Sequence, residues 1–192
     1  IPPRVVMDAL FSSFSAVAIA EIGDKTQLLS LFLAARFRAK GAIIAGILVA
    51  TLLNHAASAW LGVWLAQFIA PAIGPWLLGV SFIVVGLWLL IPDKDDSNET
   101  GVLKYGAFAA SCLLFFLAEI GDKTQIATVI LAATFDEAVW MVIWGTTLGM
   151  LAANVPVVYA GSWLLQKVSL DWARRLACTV FILLGLITII AA

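Results

Sequence analysis

Hydrophobic positions run along this chain in long uninterrupted blocks, not in the alternation of a surface strand or the stripe of a surface helix. A membrane-spanning helix needs about 20 mostly apolar residues. The segments that meet this length are 5–37, 41–69, 72–91, 103–135, 138–166 and 171–192. The second, third and fifth of them contain no charged side chain, and their only histidine is His55. The pattern predicts an all-α integral membrane protein with six transmembrane helices.

The first and fourth segments are too long for a simple span. Each has roughly 30 residues, or about 45 Å of continuous helix at 1.5 Å per residue, against a hydrocarbon core of about 30 Å. We therefore expect these two segments to tilt, to break or to project beyond the bilayer.

Composition supports a lipid environment. The chain is 63% hydrophobic and 12% charged, with a mean hydropathy of +1.06, whereas soluble domains are about 25% charged. The net charge of −1 and the lack of a basic patch argue against a nucleic-acid partner. Cys112 and Cys178 lie in apolar runs without the spacing of a zinc site. No cleavable signal peptide is expected, because the first apolar run continues into a charged motif.

The longest polar stretch, Pro92–Thr100, divides the chain into two halves. A proline ends the preceding apolar segment, and the charges that follow it require water. We predict a first three-helix repeat over residues 1–91, a linker over 92–102 and a second repeat over 103–192.

The two halves are copies of one another. With a shift of 98 positions, the eight residues 20–27 are identical to residues 118–125. With a shift of 99, Gly46 matches Gly145 and Gly86 matches Gly185. Because three helices is an odd number, the second copy enters the membrane from the opposite side. The sequence thus predicts an inverted repeat, an architecture that places a transporter's substrate site near the midplane, between the repeats.

Loop charges predict the orientation, because cytoplasmic loops carry an excess of Lys and Arg. The loops or segment ends on one side carry Arg36, Arg38, Lys40, Lys94, Lys104, Lys167, Arg174 and Arg175. The other side carries Arg4. This bias predicts cytoplasmic odd-numbered loops and external termini.

Each copy of the eight-residue match contains the motif Glu-Ile-Gly-Asp-Lys-Thr within its apolar segment. A charged side chain at the bilayer centre costs about 2.5–3.5 kcal/mol on insertion scales. The six motif charges are Glu21, Asp24, Lys25, Glu119, Asp122 and Lys123. They must therefore face one another, water or a bound ion.

Helical spacing would place Glu21, Asp24 and Lys25 within an arc of about 100°. Gln27 lies close to this arc, whereas Thr26 points away unless the helix is distorted. Gly23 permits such a distortion, which would free a carbonyl oxygen as a further ligand.

If the two motifs meet at the pseudo-two-fold axis, four carboxylates and two lysines give a net charge of −2, which suits a divalent cation. The candidate ligands are Glu21, Asp24, Glu119, Asp122, Gln27, Gln125, Thr26 and Thr124. Carboxylate, amide, hydroxyl and carbonyl oxygens suit Mg²⁺, Ca²⁺ and Mn²⁺, and the motif contains no Cys, Met or His for Zn²⁺ or Cu⁺. We expect Lys25 and Lys123 to support the site by tethering neighbouring carboxylates.

Carboxylates held away from water favour their protonated form when no metal is present. Metal and proton would then compete for the same oxygens, which is a physical basis for antiport. The plainer alternative is that the motif charges form a salt-bridged contact between helices, but this would not require the same residues twice. Asn54, His55 and Asn154 occupy the second helix of each half, where an interhelical hydrogen bond is the favoured role and a place in the ion path is the alternative.

The duplicated Glu-x-Gly-Asp-Lys-Thr motif, 98 residues apart within six apolar segments, resembles that of the calcium/manganese:proton antiporter family. That family includes Golgi and chloroplast cation transporters and bacterial manganese exporters. The resemblance covers nearly the whole chain. It implies an inverted-repeat bundle that exchanges Mn²⁺, and Ca²⁺ as a second candidate, for protons. It also implies that the acidic motif residues bind the metal, which is the substrate, so that no cofactor is expected. The short loops are closer to a bacterial member, in the inner membrane, than to an organellar one.

Other function classes remain open at this point. An exporter of amino acids or other small cationic solutes could use Lys25 or Lys123 to hold a carboxylate. A membrane-embedded metal hydrolase would need separate acid and base roles, which a near-perfect duplication does not favour. A purely structural membrane subunit would tolerate Glu21→Gln in function.

Overall fold

The computed structural model describes residues 2–70, 72–91, 100–161 and 170–190, and these residues are helical with no strand among them. The helices are α1 (Pro3–Ala20), α2 (Lys25–Arg36), α3 (Lys40–Ala66), α4 (Gly74–Trp88), α5 (Gly106–Glu119), α6 (Lys123–Thr134), α7 (Val139–Ala160) and α8 (Leu170–Ile190). Two short 3-10 helices, Thr100–Tyr105 and Asp136–Ala138, precede α5 and α7. The all-helical prediction is confirmed for this part of the chain.

Both over-long segments break, which was one of the three outcomes expected from their length. Segment 5–37 becomes α1 and α2, and segment 103–135 becomes a 3-10 turn, α5 and α6. Each break falls within the duplicated motif, so the motif is not a continuous helical face. The arc of side chains expected from helical spacing is therefore wrong.

The remaining segments correspond to single helices with shifted ends. Segment 41–69 forms α3 and segment 72–91 forms α4, which ends three residues early at Trp88. Segments 138–166 and 171–192 correspond to α7 and α8, but residues 162–169 and 191–192 lie outside the described part. Most of the predicted linker, residues 92–99, also lies outside it.

Four described helical stretches are long and apolar enough to cross a membrane, namely Pro3–Ala20, Lys40–Ala66, Gly101–Glu119 and Asp136–Ala160. A shorter apolar helix spans Gly74–Trp88. Large apolar side chains cover the outside of the bundle, for example Phe11 (58% exposed), Leu53 (55%) and Val84 (57%). So much outward-facing apolar surface fits lipid as the surrounding solvent.

The helices of one half pack mainly on those of the other. Gly145 and Gly149 of α7 lie against Leu10 and Phe14 of α1, so these two helices run parallel. Gly46 of α3 lies against Phe108 of α5, and Asn54, farther along α3, donates a hydrogen bond to the carbonyl of Phe116, farther along α5. Helices α3 and α5 therefore also run parallel. Small residues at these contacts let the backbones approach closely, as is common between membrane helices.

Helices α4 and α8 form an antiparallel pair. Gly79 lies against Gly185, whereas Gly86, farther along α4, lies against Phe181 and Cys178, which come earlier in α8. The buried apolar residues form two clusters, one at each end of the bundle. The cluster at the end formed by α1 and α6 (the α1/α6 end) includes Phe82 and Val85 of α4 and Phe181 of α8. The cluster at the end formed by α2 and α5 (the α2/α5 end) includes no described residue of α4 or α8.

Substituting Gly145 with Ala is expected to destabilise the bundle. An added methyl group would lie 2.7 Å from the carbonyl oxygen of Leu10, so α1 would have to move away from α7. Over-packing of this kind costs about 1–3 kcal/mol. Thermal unfolding in detergent measures the effect. Gly41→Ala is the matched control, because a methyl group there meets nothing within 4 Å. Equal stability of the two variants would contradict the close α1–α7 contact.

Candidate functional site

A chain break interrupts each copy of the motif, and each break contains a glycine with positive φ. Gly23 (φ 83°) lies between α1 and α2, and Gly121 (φ 76°) lies between α5 and α6. Side chains other than glycine rarely adopt this conformation. The carbonyl-bearing ends of α1 and α5 and the N–H-bearing ends of α2 and α6 therefore lie at the two breaks, beside the buried Glu21 and Glu119. Interrupted helices of this type form ion sites in transporters.

The motif glutamines hold the breaks in shape. The Gln27 Oε1 accepts a hydrogen bond of 2.8 Å from the Gly23 N–H, and the Gln125 Oε1 accepts one of 2.6 Å from the Gly121 N–H. The Gln27 side chain also donates to the carbonyl oxygen of Ala153 in α7 at 2.9 Å. In this conformation both amide oxygens are occupied by backbone, so the glutamines position the motif.

The two motif glutamates are fully buried at equivalent positions. Thr26 donates a hydrogen bond of 2.6 Å to Glu21 Oε2, and Thr124 donates one of 3.3 Å to Glu119 Oε2. The break therefore turns Thr26 toward the site, as expected for a distorted helix. Among the described residues, no group donates a hydrogen bond to the second oxygen of Glu21 or of Glu119. Each glutamate thus keeps one buried oxygen available to a ligand.

The motifs of the two halves come together. Lys25 of the first motif forms an ion pair of 3.0 Å with Asp122 of the second. Glu21 interacts electrostatically with Glu119 and Asp122, and Thr124 also lies beside it. Glu119 in turn interacts with Asp24 and Lys25. The predicted meeting of the two motifs is therefore present in the geometry.

Identical motif sequences have different surroundings. Asp24 and Lys25 are partly exposed and line a cavity of about 120 Å³, whereas Asp122 and Lys123 are buried. The cavity is also lined by Leu28 of α2, by the C-terminal end of α4 and by Arg174 of α8. The Nζ of Lys123 reaches this wall, since it donates a hydrogen bond of 2.6 Å to the carbonyl oxygen of Ile91. The site is thus approached from the side of the first motif.

Polar residues of α3 and α7 flank the motifs. Asn54 donates to the carbonyl of Phe116 at 3.1 Å, and thereby satisfies one of the last carbonyls of α5. Asn154 accepts a hydrogen bond of 2.8 Å from Ser30 of α2. Both asparagines therefore make interhelical hydrogen bonds. His55 is fully buried, and in the described part of the chain neither ring nitrogen has a hydrogen-bond partner.

Two participants were not found from the sequence. Ser30 bonds to Asn154, and a signal for it existed, because the equivalent position in the second half is Thr128, another buried hydroxyl. Arg174 lines the cavity, although its sequence position beside Arg175 made it count only as a loop charge. The sequence alone does not show which of Arg174 and Arg175 faces the cavity, because this depends on the orientation of α8.

The four carboxylates do not form one tight cage. Among the described residues, no three acidic, histidine or cysteine side chains are grouped so that they could hold a metal ion by themselves. Instead, Asp122 is paired with Lys25, while Glu21 and Glu119 each present an available oxygen. Chemically, the pair of buried glutamates can take up protons or share a cation together with hydroxyl and carbonyl oxygens.

A family model and several known proteins are similar to this chain over most of its length. The family model described as divalent cation/proton antiporter GDT1 matches residues 9–97 and 107–192. A Vibrio cholerae protein named "Putative manganese exporter" is 52% identical over 187 residues, covering 97% of this chain and 93% of that protein. "GDT1-like protein 3" of Arabidopsis thaliana is 30% identical over 191 residues, covering 85% of this chain and 64% of that protein. No solved structure matches the chain.

These matches confirm the resemblance inferred from the duplicated motif, and they exclude the enzyme alternative, because the family is one of transporters. The chain belongs to the divalent cation/proton antiporter GDT1 family and is a membrane transporter.

Proposed function

We propose that this protein exports Mn²⁺, with Ca²⁺ as a second substrate, in exchange for protons, at a site centred on Glu21 and Glu119. The observation that carries the proposal is the pair of fully buried, symmetry-related glutamates, each with one oxygen to which no described group donates. Two adjacent buried carboxylates cannot both remain charged unless a cation lies between them. Binding of a divalent cation and binding of protons therefore exclude one another.

The charges of the site fit a divalent ion. The ion pair between Lys25 and Asp122 is internally neutral, so the two glutamates supply the two negative charges that the ion requires. The hydroxyls of Thr26 and Thr124 and the carbonyls at the ends of α1 and α5 offer further oxygen ligands. Mn²⁺ and Ca²⁺ both accept such oxygen-rich sites. In this proposal Asp24 attracts the ion from the cavity, and Gln27 and Gln125 hold the two breaks in place.

We infer that the chain forms six spans as two inverted three-helix repeats, residues 1–91 and 103–192, joined by a linker at 92–102. The helix directions support this topology. Helix α1 runs parallel to α7 and α3 runs parallel to α5, which are the two symmetry-equivalent pairs, and α4 runs antiparallel to its own counterpart α8. A two-fold axis in the membrane plane produces this set of directions.

We further infer that the structure corresponds to one of two alternating states. Helix α4 packs against α6, and α8 packs against α1. Within the described residues, neither α4 nor α8 makes a comparably extensive contact with α2 or α5. The bundle is therefore closed at the α1/α6 end and accessible at the α2/α5 end, where the cavity lies. The bias of Lys and Arg toward this end supports a cytoplasmic location for it.

The inner membrane of a bacterium is the proposed location, with both termini outside. The support is the extent of the match to the Vibrio cholerae protein, which covers nearly all of both chains. In this orientation, an ion that enters from the cytoplasm meets Asp24 first and the two glutamates next.

The test is ion flux in proteoliposomes that contain the purified protein, with Mn²⁺, Ca²⁺, Mg²⁺ and a set of amino acids offered under an imposed pH gradient. We expect Mn²⁺ flux that is driven by the proton gradient and abolished by its collapse with an ionophore. Metal flux that does not depend on the pH gradient would contradict proton exchange. Flux of amino acids without metal flux would establish the solute-exporter alternative instead.

A further inference from the structure

We propose that Arg174 sets how strongly the cavity attracts cations, and thereby sets the Mn²⁺ concentration at which export begins. Arg174 lies near the start of α8, outside both motifs, and its side chain lines the cavity beside the first motif. The inference rests on the proposed function, because it concerns the entry of the same ion. It makes Arg174 a residue that determines the apparent affinity without binding the metal.

The charges around the cavity do not cancel. Among the described residues, the charged side chains that line it are those of Asp24, Lys25, Lys123 and Arg174. Lys25 is paired with the buried Asp122. These three positive and two negative charges leave one positive charge, whatever pairs form among the five groups. If Arg174 were uncharged, the cavity would be neutral.

Asp171 is the described partner of Arg174, but it does not neutralise the cavity. The two side chains form an ion pair of 3.3 Å within the first turn of α8. The Asp171 side chain is 83% exposed, whereas that of Arg174 is 23% exposed. Water and salt screen an exposed carboxylate, so a pair of this kind contributes little. The pair thus holds the guanidinium at the cavity wall while the carboxylate lies in solvent.

A positive charge at the entrance of a cavity with low-dielectric walls repels an approaching cation, and the repulsion grows with the charge of the ion. Arginine side chains create electrostatic barriers of this kind in membrane pores. The repulsion by Arg174 opposes the attraction by the motif carboxylates and lowers the occupancy of the site at a given metal concentration. Export then requires abundant cytoplasmic Mn²⁺, so the basal level of the metal is spared.

The next residue along the chain provides a matched control. Arg175 carries the same charge, is exposed, and is not among the residues that line the cavity. Substitution of either arginine changes the net charge of the protein and the sequence of α8 to the same extent. A difference between the two variants therefore isolates the charge at the cavity wall from the total charge at this end of the bundle.

The reaction of a cavity cysteine with two charged reagents tests the proposal. Leu28 is exposed and lines the cavity, so Leu28→Cys, in a background with Cys112 and Cys178 replaced by Ala, is open to methanethiosulfonate reagents in the purified protein. The measured quantity is the rate with a cationic trimethylammonium reagent divided by the rate with an anionic sulfonate reagent. Arg174→Gln is expected to raise this ratio about 10-fold at low salt, because the two reagents respond in opposite directions. Arg175→Gln is expected to change it less than about 2-fold.

Two further measurements show whether the effect is electrostatic. Arg174→Lys retains the charge, so its ratio is expected to stay within about 2-fold of the parent, and about 0.5 M salt is expected to remove most of the effect of Arg174→Gln. Equal changes in the Arg174→Gln and Arg175→Gln variants, or no change in either, would overturn the proposal in monodisperse protein. A shift in Arg174→Lys as large as that in Arg174→Gln would also overturn it.

Transport supplies an independent readout. In proteoliposomes of phosphatidylcholine at low salt, Arg174→Gln is expected to lower the KM for Mn²⁺ about 5-fold with an unchanged Vmax, because the ion enters more easily and the glutamates keep their motif partners. An unchanged KM would contradict the role of Arg174 and leave proton exchange intact. Absence of Mn²⁺ flux in the unsubstituted protein would instead contradict the proposed function, and the cysteine reaction, which requires no transport, would still test the charge of the cavity.

Discussion

Glu21→Gln is expected to reduce Mn²⁺ flux to the level of empty vesicles, and Glu119→Gln is expected to do the same. Each substitution removes one of the two negative charges that the divalent ion requires, while the amide can still accept the hydrogen bond from the motif threonine. Removing one partner of a buried charge pair costs about 3–5 kcal/mol. At about 1.4 kcal/mol per tenfold, this is a loss of more than 100-fold in affinity.

Binding and flux are best measured on the same samples. Mn²⁺ affinity can be followed by equilibrium dialysis, and the protons released on binding by a pH indicator in weak buffer. We expect the glutamine variants to fold normally, because they remove a buried charge, and to release fewer protons per bound ion. Glu137→Gln is the matched control, since Glu137 is exposed outside the motifs. Full Mn²⁺ flux in either motif variant would eliminate the two-glutamate site.

Asp122→Asn is expected to lower both the stability and the transport rate, the latter by about 10- to 100-fold. The substitution leaves Lys25 without its carboxylate partner in the interior of the membrane. The expected loss in the free energy of unfolding is about 1–3 kcal/mol, which is below the value for a fully buried pair because the Lys25 side chain is 27% exposed.

The double variant Lys25→Met with Asp122→Asn separates this charge effect from loss of packing. If the ion pair is the cause, the double variant should unfold at a higher temperature than Asp122→Asn alone while remaining poor in transport. Asp8→Asn serves as the control, because Asp8 pairs with Arg4 on the surface. A double variant no more stable than the single one would show that Asp122 stabilises the fold in another way.

The sequence was sufficient to predict the helical class, the duplication and the meeting of the two motifs, because these depend on composition, apolar length and exact repetition. It also indicated Gly23 as a point of distortion. It could not predict how far the distortion goes. Once each helix stops at the motif, Thr26 turns inward and the glutamines bond to the glycine N–H groups, so positions inferred from 100° per residue no longer apply.

The difference between the two motifs could not have been predicted from the sequence at all. Residues 20–27 and 118–125 are identical, yet Asp24 lines the cavity and Asp122 is buried against Lys25. The difference accompanies the position of α4 and α8, since Leu89 and Arg174 line the cavity beside Asp24. Two identical copies of a motif cannot by themselves encode different surroundings.

The packing of each half on the other has a consequence for how the protein is made. The most extensive helix contacts, α1 with α7, α3 with α5 and α4 with α8, all join residues before the linker to residues after it. Helices α1 to α4 therefore enter the membrane before any of these partners has been synthesised, with their glycine faces and motif charges uncovered. The first half therefore cannot complete its native packing by itself, and the bundle can close only after α5 to α8 have entered the membrane.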